Sequence, residues 1–249
     1  MIFDDLEHNR KRKRTQVLAL VDPDSKNDSK LPQIMDIINI SDFDALLVGG
    51  SSISDDRFED RISYINNNTD LPVIIFPGDS SQVSKNVNAI LFLSLLSGRN
   101  PKYLVEEQVL SSRYIYKHNL ETIPTGYLLL KTDKKSAVEK VSNTEPLDMR
   151  DKDNIISHAL AAQYMGNKLL FLECGSDSNL TIDPELLNEI TKHVDIPVMV
   201  GGGIKNKEMA ISLAQSGASY LVIGSLIEQT LDSDLTIQIN SAISTLNDN

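Results

Sequence analysis

The sequence predicts an α/β fold: a closed parallel (β/α)8 barrel, one domain over residues 1–249, with the helix between strands 3 and 4 missing or very short. Three observations lead there. Eight short apolar runs recur along the whole chain, most near-continuous rather than alternating, as strands buried on both faces require. Segments of helical spacing separate most of them, such as Leu186, Leu187, Ile190 and Val194, or Met209, Leu213 and Ala214. The third connection offers only GDSSQVSKNV, at the edge of the roughly ten to twelve residues a crossover with its helix needs.

Taken in order, the first run is QVLALV (16–21), which leads into VDPD (21–24). The second, DALLVG (44–49), leads into VGGSS (48–52). PVIIFP (72–77) and NAILFL (88–93) flank the short third connection, and a barrel without a helix there has a lateral groove to be covered or used. The fifth run is GYLLL (126–130). KLLFLE (168–173) leads into FLECGSDS (171–178), PVMVG (197–201) into VGGGIK (200–205), and YLVIG (220–224) into VIGS (222–225). No linker rich in Gly, Pro or Ser divides the series.

Composition excludes several classes. No stretch approaches the roughly 20 apolar residues a membrane helix needs, and no signal peptide opens the chain. One cysteine rules out an internal disulfide framework and fits a reducing cytoplasm. A formal net charge of −11 argues against a nucleic-acid surface. The one basic cluster, RKRKR at 10–14, reads as a solvated helix end. The four histidines, His8, His118, His158 and His193, fall in helical segments or their edges, so a histidine triad or zinc site is not expected.

In a closed barrel the chemistry sits at the C-terminal strand ends, with a phosphate site favoured at strands 7 and 8. Gly202 and Gly203 end strand 7, and Gly224 and Ser225 end strand 8 beside it. Bare backbone N–H groups at two adjacent turns suit a phosphate. Asp22 and Ser51 leave neighbouring strands at the same rim. A carboxylate and a hydroxyl, completed by water and phosphate oxygens, suit Mg2+, although Asp22 before Pro23 also suits a turn cap. Glu173 ends strand 6, where a carboxylate can accept a proton from a substrate hydroxyl or serve as a partner for backbone donors. Cys174 beside it reads as a small buried residue.

The ordered set VDPD, LLVGGSS, PVIIFPG, IPTGYLLL, FLECGS, VGGGIK and VIGS resembles the geranylgeranylglyceryl phosphate synthase family, which includes the bacterial heptaprenylglyceryl phosphate synthases. The resemblance runs from about residue 15 to 230. It implies a modified TIM barrel lacking one outer helix. It also implies a prenyltransferase of phospholipid biosynthesis that joins the 3-hydroxyl of sn-glycerol 1-phosphate to a polyprenyl diphosphate, with Mg2+, releasing diphosphate. By position it makes Asp22 and Ser51 the Mg2+ ligands. Phe171, Leu172, Glu173, Cys174, Gly175, Ser176, Asp177, Gly202, Gly203, Gly224 and Ser225 become the glycerol-phosphate site, Glu173 the group that deprotonates the hydroxyl, and Tyr127 a lining residue. The prenyl tail would take the groove left by the missing helix. A dimer or hexamer is implied as well.

This chain departs from the family pattern at three points. Phe171 stands where tyrosine is frequent, CGSD at 174–177 replaces AGSG, and Ser225 replaces a common asparagine. These bear on the polar substrate more than on the reaction. Two rivals remain open from the residues: another barrel enzyme acting on a small phosphorylated metabolite, and a non-catalytic phosphate- or lipid-binding barrel.

Overall fold

The computed structural model describes residues 1–176 and 178–248. Eight strands close in sequence order, β1 (Gln16–Val21), β2 (Ala45–Val48), β3 (Val73–Ile75), β4 (Ala89–Leu95), β5 (Glu121–Leu129), β6 (Leu169–Glu173), β7 (Val198–Gly201) and β8 (Tyr220–Ile223). Every neighbouring pair is parallel, and β8 returns to β1 with Gln16 opposite Tyr220. The helices are α1 (Ile2–Lys13), α2 (Leu31–Ile40), α3 (Phe58–Asn67), α4 (Glu107–His118), α5 (Ala137–Ser142), α6 (Lys152–Tyr164), α7 (Pro184–His193), α8 (Lys207–Gln215), α9 (Ser225–Thr230) and α10 (Ser233–Asn247).

The pleat divides the apolar runs between two cores. Leu18, Leu47, Ile74, Leu91, Phe171 and Met199 point into the barrel. Their sequence neighbours Ala19, Leu46, Leu170, Leu172 and Val200 point outward, against Ile34 and Ile38 of α2, Ile62 of α3, and Leu186 and Ile190 of α7. Both faces are dry, which is why the runs do not alternate with polar residues. The helices start where short polar side chains cap them: Asp183 accepts from Glu185 N–H at 2.9 Å ahead of Pro184, and Asn206 from Met209 N–H at 2.9 Å.

No helix lies between β3 and β4; residues 76–88 cross as a loop. Ile115 of α4 and Leu120 pack on Ile75 and Ile90 there instead, with Val83 and Val87 of the loop. β3 is short and pairs with β4 only through Ile74↔Ala89 and Ile75↔Ile90. From Leu91 onward β4 has no partner strand on that side, and the barrel wall is open between the two.

Two features exceed the sequence expectation. β5 starts at Glu121, five residues before the apolar run GYLLL, and takes in Pro124. Pro124 is tolerated because its missing N–H faces the side on which β6 pairing begins only at Thr125; there Pro124 contributes its carbonyl alone, accepting from Lys168 N–H at 2.8 Å. The second is α1, whose basic end was expected merely to be solvated. Lys11, Arg12 and Arg14 are indeed exposed, but the helix closes the N-terminal mouth of the barrel. Leu6 is buried with the interior cluster, Glu121 caps the helix by accepting from Ile2 N–H at 2.6 Å and Phe3 N–H at 2.9 Å, and Tyr220 donates to Glu7 at 2.5 Å. Arg10 lies back on Glu7 at 2.7 Å.

Candidate active site

Inward parity carries past the strand ends. On β1 it runs Leu18, Leu20, Asp22; on β6 it runs Leu169, Phe171, Glu173. These positions therefore deliver one carboxylate each to the C-terminal mouth. A cleft of about 540 Å³ occupies that mouth. Asp22, Ser51, Tyr127, Glu173, Gly175, Ser176, Gly202, Gly203, Gly224 and Ser225 line it together.

The run 171–177 is not delivered whole. Leu172 and Cys174 have the outward parity and lie in the layer between sheet and helices, so their side chains do not face the cleft. Phe171 is inward but sits below the cleft, its ring 5.1 Å from Phe76 and 5.4 Å edge-on from Tyr127. The hydroxyl that a tyrosine would carry there is thus replaced by an aromatic floor. Asp177 lies outside the described residues. Burial pushes the Cys174 thiol up, which makes it inert.

Glu173 is 7% exposed, and its Oε1 accepts the N–H of Gly175 at 2.5 Å. Burial raises its carboxyl from 4.5 to about 7, against the opposite pull of the Gly175 N–H. That places a proton acceptor near neutrality at the end of β6. The glycine run of β7 is what makes room for it. Gly202 has φ +82°, and a Cβ there would stand 2.8 Å from Glu173 Oε1 and 2.7 Å from both N and O of Gly175. Gly203 follows with φ +76°. Beside this turn, Gly224 opens α9 and accepts from Ile227 N–H at 2.9 Å, and the N–H groups before Ile227 precede the helix's internal bonding pattern.

At the other end of the cleft, Asp22 Oδ2 pairs with the Lys26 ammonium, while Oδ1 is buried without a hydrogen-bond partner among the described residues. Burial raises the Asp22 carboxyl, with Lys26 pulling it back. A Cβ on Gly50, the residue before Ser51, would stand 2.3 Å from that orphaned oxygen, so the β2 loop lies directly against Asp22. Among the described residues no three His, Cys, Asp or Glu side chains cluster as a metal cage. One orphaned carboxylate oxygen with a hydroxyl loop beside it fits a hard cation that takes its remaining oxygens from substrate and water.

Several residues not singled out in the sequence hold this end. Asp24 accepts from Ser54 N–H at 2.8 Å and ties the β1 loop to the β2 loop. Arg61 of α3, 3% exposed, forks onto Asp28 at 2.6 Å and Asp55 at 2.6 Å, one from each loop. Gln82 of the β3–β4 loop donates to Gly50 O at 2.9 Å and accepts from Gly78 N–H at 3.2 Å. Glu228 accepts the N–H of Asp22 at 2.7 Å. Asp24 closes the VDPD motif without having been singled out there, and the others are isolated polar residues in the sequence. Only Arg61, next to the buried Ile62 on an otherwise ordinary amphipathic helix, could have been suspected.

The cleft leaves the mouth through the opening between β3 and β4. Both faces of β4 line it, Leu91 and Leu93 from inside and Ile90 and Phe92 from outside, with Val83, Gln108 and Ser111 beyond. All four histidines lie in helices α1, α4, α6 and α7, and none lines the cleft.

Residues 8–242 match the model of the PcrB family. A geranylgeranylglyceryl phosphate synthase of Flavobacterium johnsoniae is 42% identical over 219 residues, 88% of this chain and 90% of that protein. One from Methanosphaera stadtmanae is 35% identical over 86% of this chain and 87% of its own length. The crystal structure of (S)-3-O-geranylgeranylglyceryl phosphate synthase from Thermoplasma acidophilum, in complex with sn-glycerol-1-phosphate, superposes with a TM-score of 0.89 at 34% identity, covering 96% of this chain and 98% of that one.

Proposed function

This chain belongs to the PcrB family, and we propose that it transfers a polyprenyl group, geranylgeranyl by the names of its relatives, from its diphosphate to the 3-hydroxyl of sn-glycerol 1-phosphate. One observation carries the reading: a single cleft joins a glycine-turn cradle, the near-neutral carboxylate of Glu173, the Asp22–Ser51 corner and an apolar exit.

The glycerol phosphate lies with its phosphate on the N–H groups of Gly202, Gly203, Gly224 and Ser225, which bring no side chain into its way. Its far hydroxyl reaches Glu173. As the carbon–oxygen bond of the prenyl diphosphate breaks, diphosphate leaves with its electron pair, the glycerol oxygen bonds to the first prenyl carbon, and Glu173 takes the hydroxyl proton. Asp22 and Ser51 would hold Mg2+, which neutralises charge developing on the leaving diphosphate. The tail leaves through the β3–β4 opening, where each buried methylene contributes about 0.8 kcal/mol.

The same reading has the chain act as one barrel domain in the cytoplasm. No described helix is long and apolar enough to cross a membrane, and Cys174 is free. Val105, Val109 and Tyr116, exposed on one stripe of the π-helical turn Lys102–Glu106 and α4, suit a contact between copies in an oligomer.

Incubation with radiolabelled geranylgeranyl diphosphate, sn-glycerol 1-phosphate and Mg2+, followed by solvent extraction, tests the reaction. An extractable glyceryl ether that requires both substrates is the expected product; turnover of neither, with both bound, would leave a binding barrel instead.

A further inference from the structure

The charge balance of the cleft is opposite to that of its proposed substrates. Among the described residues lining it, Asp22, Asp24, Asp79, Glu107, Glu173 and Glu228 carry carboxylates, and Lys26 alone carries a cation. Several of the carboxylates are committed to backbone donors. Asp24 accepts from Ser54 N–H, Glu228 from Asp22 N–H, and Glu107 from Ser80 N–H at 2.6 Å. Asp22 is different, with one oxygen on Lys26 and the other buried and unpartnered.

We propose that Lys26 is a substrate-binding residue that holds Asp22 in the metal-free protein and passes to the diphosphate when a divalent cation takes Asp22. The inference rests on the proposed reaction and on Asp22 as its metal ligand. A divalent ion at the Asp22 carboxylate repels the ammonium that pairs with it, so the two compete for one group. The ammonium is free to leave. Its side chain is 59% exposed, on a flexible four-carbon stem in the short turn Ser25–Asn27. A diphosphate bound to the metal brings several negative oxygens to that place, and an ammonium pairs with them as a point charge without demanding a fixed approach. The position also separates the two anionic substrates. No cationic side chain among the described residues lines the glycine end of the cleft, so the more highly charged diphosphate is favoured at the Asp22 end.

Lys26→Met removes the charge and keeps the stem. With Mn2+ alone, followed by electron paramagnetic resonance, this variant binds the ion about three- to fivefold more tightly than the unaltered chain, the worth of one partly exposed competing ion pair. Calorimetry with inorganic diphosphate at saturating Mg2+ gives about tenfold weaker binding, the loss of one charge-assisted contact. Lys26→Arg recovers most of the diphosphate affinity, and a circular dichroism melt confirms an intact fold in each variant. Unchanged affinities for both probes in Lys26→Met overturn the proposal. Asp22→Asn tells the layers apart: if it loses Mn2+ while Lys26→Met changes nothing, Lys26 alone is misassigned, and if it keeps full Mn2+ affinity the metal reading falls with it.

Discussion

Glu173 Oε1 and the backbone N–H of Gly175 meet at 2.5 Å across the turn that ends β6, and Gly202, just past the end of β7, closes over the same oxygen. The carboxylate is thereby aimed by backbone on two sides, with one oxygen, Oε2, left for substrate. Glu173→Gln keeps the shape and removes the proton acceptor. Turnover should fall about 10²–10⁴-fold with both substrates still binding. Single-turnover rates with separate binding titrations check this, and a loss below about threefold would leave Glu173 an orienting group.

The pH dependence follows from the same burial. Glu173 is raised from 4.5 to about 7, so the fold favours its protonated form. Its contribution to stability is present below about 4.5 and is lost as pH rises through about 7, reaching about 3 kcal/mol at most. Melting midpoints of Glu173→Gln minus those of the unaltered chain should therefore widen between pH 5 and pH 8. Activity should run the other way, since a carboxylate accepts a proton only when ionised: kcat/KM should climb through about pH 7, and that limb should vanish in the variant.

Asp22→Asn tests the opposite end. It keeps the turn before Pro23 but weakens any hold on Mg2+. Most turnover should disappear while glycerol 1-phosphate affinity, measured by calorimetry, stays within about twofold. A fully active variant would reduce Asp22 to a turn residue.

Gly202→Ala puts a Cβ into the Glu173 carboxylate and the Gly175 backbone at a positive φ. We expect about 1–3 kcal/mol of lost stability and a marked loss of glycerol 1-phosphate affinity. Urea unfolding and calorimetry read the two effects separately. Retained affinity with lowered stability would mean that the turn serves packing alone.

Arg61→Met removes the fork between Asp28 and Asp55, whose carboxyls both lie below the usual range, that of Asp55 near 2. The two acidic loops then keep only the exposed Arg57, 3.4 Å from Asp28, to offset their charge. The thermal midpoint should drop by several degrees, and added salt should recover part of the loss.

The barrel was legible because parallel strands buried on both faces leave unbroken apolar runs, and the missing helix because only GDSSQVSKNV, 78–87, separates the third run from the fourth, at the edge of what a crossover with its helix needs. The glycine turns and Glu173 were legible because they abut those runs. Leu172 and Cys174 were drawn into the expected site because a motif is contiguous, whereas the pleat sends alternate side chains to opposite faces; once Glu173 is inward, both must be outward. Gln82 and the Asp28 arm of the Arg61 fork left no trace because their partners lie on other loops, 32 and 33 residues away, and Lys26 left none because a lysine four residues after an aspartate is ordinary in an exposed turn. The plug formed by α1 was missed for a similar reason: its anchor, Glu121, is 118 or more residues distant.

On the proposed reading, one cleft presents the 3-hydroxyl of glycerol 1-phosphate to Glu173. A crystal structure with sn-glycerol 1-phosphate bound tests it most directly. The phosphate should lie on the N–H groups of Gly202, Gly203, Gly224 and Ser225, with the far hydroxyl about 2.6–3.2 Å from Glu173. Phosphate bound elsewhere, or a hydroxyl turned away from Glu173 toward solvent, would contradict it.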